Sequence, residues 1–97
     1  MKTLKNIRDV LVKYKDSIRK EFKAEILGVF GSYSRNEQKK TSDIDILVRF
    51  LDGATFFDLV GLGEFVEEKL KVKADIVSER AIRPELKEQI LKEVIAL

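Results

Sequence analysis

Two aspartates, Asp43 and Asp45, stand one residue apart where an apolar run, Ile44 to Phe50, begins. Upstream, Gly31-Ser32 ends another apolar run, Ile26 to Phe30. A third acid, Asp75, lies inside VKADIV. Aspartate is disfavoured in strands, so its presence there asks for a reason. Residues two apart on a strand project from one face, about 6.5–7 Å apart at Cα. Asp43 and Asp45 can therefore converge on one divalent ion, or on two ions roughly 3.5–4 Å apart. If the strand of Asp75 neighbours that of Asp45, its Cα lies only ~5 Å away across the ladder. Three acids in one place repel one another unless a cation neutralises them. An Asp-x-Asp alone is more often a turn residue and a solvated one, so its context carries the argument.

Gly31-Ser32 follows a strand directly. Glycine permits a tight turn and lets a phosphate approach the backbone, and the next N–H groups form an anion site if they are helical. The Ser32 hydroxyl can donate to a phosphate oxygen. Arg35, one turn later, can reach the same anion with its planar fork. A lone Gly-Ser is usually an ordinary turn with a cap. Combined with a same-face carboxylate pair after a short spacer, it completes the parts of metal-dependent nucleotidyl transfer. In that chemistry the metal neutralises a triphosphate and aligns the attacking and leaving oxygens. No histidine is required, because a carboxylate such as Asp75 can accept the proton of the attacking hydroxyl.

Composition narrows the metal. The chain has neither Cys nor His, so thiolate zinc sites, Cys nucleophiles, His bases and disulfides are excluded together. Any metal is held by oxygen, which favours Mg²⁺ with Mn²⁺ as the alternative. Lys+Arg is 19 against 17 Asp+Glu, a net charge of +2. That balance suits a small anionic ligand and gives no reason to expect direct nucleic-acid binding. Short basic clusters occur at Lys39-Lys40 and at Lys69, Lys71 and Lys73. Met1 to Asp9 has no apolar signal core, and no apolar run approaches the ~20 residues of a membrane span. A soluble, cytoplasmic protein without membrane contact is expected.

The elements that must position these residues follow from periodicity. The 97 residues fit one domain, 1–97, with 44% hydrophobic residues to build a core. Leu4, Ile7, Leu11, Tyr14, Ile18 and Phe22 recur at steps of three and four, which predicts one helix from Leu4 to about Phe22. Ile26–Phe30 reads as a strand, with Gly28 marking a bulge or a close backbone approach. Ser32 to Arg35 is expected to form a helical turn, and Asn36 to Ser42 a charged loop. In Ile44–Phe50, Ile44, Ile46, Val48 and Phe50 make a core face, while Asp43, Asp45, Leu47 and Arg49 point the other way. Thr55 caps a helix to Leu70 whose stripe is Phe56, Leu59, Val60, Leu62, Phe65, Val66 and Leu70. Val72–Val77 is a third strand. Pro84 opens a last helix with Leu86, Ile90, Leu91, Val94 and Ile95 as its buried face. The order α-β-turn-β-α-β-α predicts an α+β fold (α/β mixed sheet), a small sheet with helices packed on it.

GSYSR followed by SDIDILV resembles the Gly-Ser…Asp-x-Asp signature of the polymerase-beta-type nucleotidyltransferases. The short chain resembles the minimal nucleotidyltransferases (MNT proteins) along nearly its whole length. The resemblance implies that Gly31, Ser32 and Arg35 are nucleotide-binding. It implies that Asp43, Asp45 and Asp75 are catalytic and metal-binding. It also implies ATP or another NTP as substrate and a HEPN-family toxin as partner, in a homo- or hetero-oligomer. AMP would pass to a tyrosine hydroxyl of that toxin, and the chain would act as antitoxin of a type VII toxin–antitoxin system. One departure is Asn36, where many relatives have Gly; Asn tolerates the left-handed backbone, so the turn can persist. The alternative is a non-catalytic antitoxin that neutralises its partner by binding alone. Phe22, Val12 and Ile82 offer themselves as partner contacts, although scattered surface apolar residues are ordinary.

Overall fold

A computed structural model describes residues 3–39 and 43–97. Lys40, Thr41 and Ser42, the end of the expected charged loop, lie outside the described residues.

Helix α1, Leu4–Lys13, begins at Thr3, whose hydroxyl accepts from the Asn6 N–H while the Asn6 side chain accepts from Thr3 N–H. This reciprocal pairing satisfies donors that the first turn would leave orphaned. Helix α2, Lys15–Phe22, follows at once and ends on Lys23 in the left-handed region (φ 52°). The single helix expected from Leu4 to Phe22 is therefore two. The break falls at Tyr14, whose φ of −100° and ψ of 9° leave the helical range. No Gly or Pro stands there. The cause is tertiary: Ile7, Leu11 and Ile18 all reach the core, and the Tyr14 ring meets Phe65 edge-on at 5.5 Å.

Strands β1 (Ala24–Phe30), β2 (Ile44–Phe50), β3 (Ala74–Ser78) and β4 (Ile95–Ala96) form one mixed sheet in the order β3-β2-β1-β4. β1 runs antiparallel to β2 and to β4, and β2 runs parallel to β3. The parallel pair requires a crossover, which helix α3, Phe56–Leu70, provides. β4 pairs Val29 with Ile95 and Gly28 with Ala96. Two residues carry no strand signal, which is why β4 was not expected from sequence. Gly28 serves both anticipated purposes. The register shifts between Ile26 and Gly28, and a Cβ on Gly28 would come within 2.9 Å of the Ile95 carbonyl carbon.

One face of the sheet carries the core. Ile44, Ile46 and Val48 are fully buried with Val29 beneath α1, α2 and α3, among Ile7, Leu11, Ile18, Leu62, Val66 and Leu70. Burying each such side chain stabilises by about 1.5–3 kcal/mol. Phe22 also packs here, its ring 5.5 Å from Phe65, so it does not stand on an outer surface as the sequence suggested.

Two expectations about faces fail. Phe56, 70% exposed, and Val60 lie outside the buried stripe of α3, because the helix meets the sheet only from its second turn onward. Helix α4, Pro84–Glu93, buries no residue, and Leu86 and Leu91 are 47% and 48% exposed. Its apolar face was expected to be covered, but the core side of the sheet is already filled by the other three helices. Leu47, assigned to the face opposite the core, points that way yet is fully buried. Among the described residues no helix is long and apolar enough to cross a membrane.

Candidate active site

The site assembles where β1 ends and β2 begins. Phe30, the last residue of β1, pairs with Asp45. Asp45 in turn pairs in register with Asp75 on β3. Adjacent residues of neighbouring strands share a face, so Asp45 and Asp75 project to the same side. Two contacts pin this register at the strand openings. The N–H of Ile44 donates to the Lys73 carbonyl at 2.9 Å, and the N–H of Ala74 donates to Glu67 Oε2 of α3 at 2.9 Å. Asp43 stands immediately ahead of β2 and is exposed.

The carboxylates feel one another. Burial holds the Asp45 carboxyl above its ordinary 3.8, and the negative charges of Asp75 and Asp43 push it further. Arg35 opposes this shift and Glu93 adds to it. A carboxylate whose charge is disfavoured by neighbouring acids gains from a cation. The donor set is all carboxylate oxygen, which fits a hard divalent ion. Among the described residues no group of three or more acids is drawn tightly enough to cage an ion by itself.

Gly31 joins the anion turn to the acids. Its φ is 77°, a conformation that side chains avoid. A Cβ there would also run into Asp45, coming within 3.0 Å of the carboxylate carbon. Glycine is thus required twice, by the backbone and by the carboxylate beside it. Gly31–Tyr33 form a 3₁₀ turn. The Gly31 carbonyl accepts from the N–H groups of Ser34 and Arg35 at 3.1 and 3.2 Å and from Ser34 Oγ at 2.8 Å. The N–H groups of Ser32 and Tyr33 precede the first hydrogen bond of that turn, as opening N–H groups of helical turns do. Tyr33 is buried and anchors the turn in the core. Asn36 adopts the left-handed conformation anticipated for it (φ 58°), and Glu37 N–H returns to the Ser32 carbonyl at 2.8 Å.

Of the six site residues read from sequence, Gly31, Asp45 and Asp75 are brought together by direct pairing or contact. Asp43 and Arg35 act on Asp45 through their charges, and Ser32 follows Gly31 in the turn. Sequence reading missed Glu93. It reaches Arg35 from the last turn of α4, with Oε2 at 3.1 Å from Nη1. Nothing in the local pattern of KEVIAL distinguishes it from a solvated glutamate.

Residues 11–97 match the nucleotidyltransferase domain family. The chain belongs to that family. This nucleotidyltransferase is 35% identical over 95 residues to the protein adenylyltransferase MntA of Thermococcus cleftensis, covering 98% of this chain and 96% of the relative. It is 35% identical over 96 residues to a candidate protein adenylyltransferase of Methanocaldococcus jannaschii, MJ0126, covering 98% of both. A solved candidate minimal nucleotidyltransferase superposes with a TM-score of 0.84 at 38% identity, covering 99% of this chain and 97% of the other. The toxin–antitoxin pair MntA–HpeT, solved with two aspartates two positions apart changed to glutamate, matches with a TM-score of 0.68 at 25% identity, over 91% of this chain and 68% of that one. The fold is that of a minimal nucleotidyltransferase, and the chain is an enzyme of that kind.

Proposed function

We propose that this nucleotidyltransferase moves AMP from ATP onto a hydroxyl of a partner protein, a tyrosine of a HEPN-type toxin, and so serves as its antitoxin. The observation that carries the reading is the contact of Gly31 with Asp45, in register with Asp75: an anion turn laid against paired acids. Asp43, Asp45 and Asp75 would hold Mg²⁺. When bound, the ion would neutralise the triphosphate and polarise the phosphorus under attack. The Ser32 and Tyr33 N–H groups, the Ser32 hydroxyl and Arg35 would bind phosphate oxygens and fix the nucleotide's orientation. Asp75, exposed on the edge strand β3, is placed to take the proton of an incoming hydroxyl.

The names of the relatives support protein adenylylation, and the MntA–HpeT neighbour supports a toxin as the acceptor. That neighbour's paired aspartate changes also support an Asp-x-Asp as the working part of the site. The test is incubation with α-labelled ATP, Mg²⁺ and a co-purifying partner, followed by peptide mapping. Label on a partner tyrosine is expected, with none for Asp45→Asn. Neutralisation of the partner by an Asp43→Asn/Asp45→Asn chain would instead establish an antitoxin that works by binding alone.

A further inference from the structure

Helix α4 contributes little to the core, yet its last turn reaches the site. Glu93 forms an ion pair with Arg35, its Oε2 3.1 Å from Nη1. Arg35 has a second acidic neighbour, Glu37, at 3.4 Å from Nε. The two differ in setting. Glu37 is 63% exposed and sits two residues along the same segment, whereas Glu93 is 23% exposed and comes from another element.

What holds Glu93 is the return of the chain onto β1. The N–H of Val94 closes α4 on the Ile90 carbonyl at 3.0 Å. Ile95 and Ala96 then pair with Val29 and Gly28. Only a glycine at 28 admits this approach, since a Cβ there would also lie 3.1 Å from Val94 Cγ2. The strand that receives β4 is the one that continues into Gly31 and Ser32. The anion turn and Glu93 are therefore referenced to the same short stretch of backbone.

We propose that Glu93 is a positioning residue for nucleotide binding: pinned through β4, it holds the Arg35 guanidinium at the site so that its Nη2 meets a phosphate oxygen. The inference rests on the nucleotide-binding reading above. A free arginine must lose rotamer freedom when it clamps an anion, and one already ordered by a carboxylate loses less. The guanidinium carries five N–H donors. The carboxylates engage Nε and Nη1, and Nη2 remains for the ligand.

The test is equilibrium binding of a non-hydrolysable ATP analogue with Mg²⁺ to the full chain, alongside thermal melting. Glu93→Gln keeps the shape and removes the charge, and it should weaken binding about 3- to 10-fold. Glu93→Asp should recover part of the loss. Arg35→Ala should weaken binding more, and adding Glu93→Gln to it should change little further. Equal losses from Glu93→Gln with and without Arg35 would overturn the proposal, because Glu93 would then act through packing. Tighter binding by Glu93→Gln would also overturn it, because the carboxylate would then compete with phosphate. A wild-type chain that binds no analogue removes the nucleotide reading and this one together. These are binding measurements, so absence of label on a partner protein has no bearing on them.

Discussion

Helix α3 sends Leu62, Val66 and Leu70 into the core, whereas α4 buries none of its residues and offers Glu93 to the site. Both sequences look amphipathic. They differ in how closely they pack on the sheet. The face of Ile44, Ile46 and Val48 is apolar and takes three helices. The face of Asp45 carries charge at the same strand's opening and is left accessible beside a lightly packed helix. Stability and chemistry are thereby divided between alternate residues of β2. Asp43 and Asp45 each have Ile44, a core residue, one step away.

If this division is real, substitutions on the two faces fail differently. The largest effect should follow Asp45→Asn, with transfer falling on the order of 10²–10³-fold or more in a labelled-ATP assay. Its stability should move the other way. The folded pKa of Asp45 lies above its ordinary 3.8, so the charged form opposes folding. Without metal, Asp45→Asn should melt above wild type at neutral pH. That gap should close as pH falls through the raised value and below 3.8, where Asp45 is neutral in the folded and the unfolded chain alike. Asp45→Asn melting below wild type at pH 7 would show that the carboxylate supports the fold, and the division would be lost.

On the other face, Leu62→Ala should cost about 2–5 kcal/mol in denaturant unfolding. Nucleotide affinity measured well below its lowered midpoint should stay close to wild type. A large affinity loss there would mean that the core reaches into the site.

Gly31→Ala crosses the boundary and sharpens it. Left-handed strain alone costs roughly 1–2 kcal/mol, and the added methyl meets the Asp45 carboxylate. Both stability and nucleotide affinity should fall. A loss of stability with affinity unchanged would separate the turn from the acids.

The smallest effects belong to the outer face of α4. Leu86→Ala and Leu91→Ala should each stay within about 0.5 kcal/mol of wild type. A larger loss in the isolated chain would reveal packing of α4 that its exposure does not indicate.

Much of the site was legible in the sequence because it rests on local rules. A strand ending in Gly-Ser can turn tightly because glycine admits the left-handed backbone. Asp45 lies on the side opposite Ile44 and Ile46 because strands repeat every two residues. Asn36 turns left-handed because its short amide permits it. These statements need no knowledge of neighbours. The pairing of Asp45 with Asp75 required one further assumption, that their strands are adjacent, and the β2-α3-β3 crossover makes them so.

Tertiary structure alone decided the rest. The break at Tyr14 has no local breaker and exists so that Ile7, Leu11 and Ile18 reach one core. The exposure of Leu86 and Leu91 depends on which sheet face was already filled. The pairing of β4 with Gly28 and the ion pair of Glu93 with Arg35 join residues far apart in the chain. Periodicity reports how a segment divides apolar from polar, because that follows from its own backbone geometry. It carries no information about which distant segment arrives opposite, because that is settled by competition among all the faces for one small core.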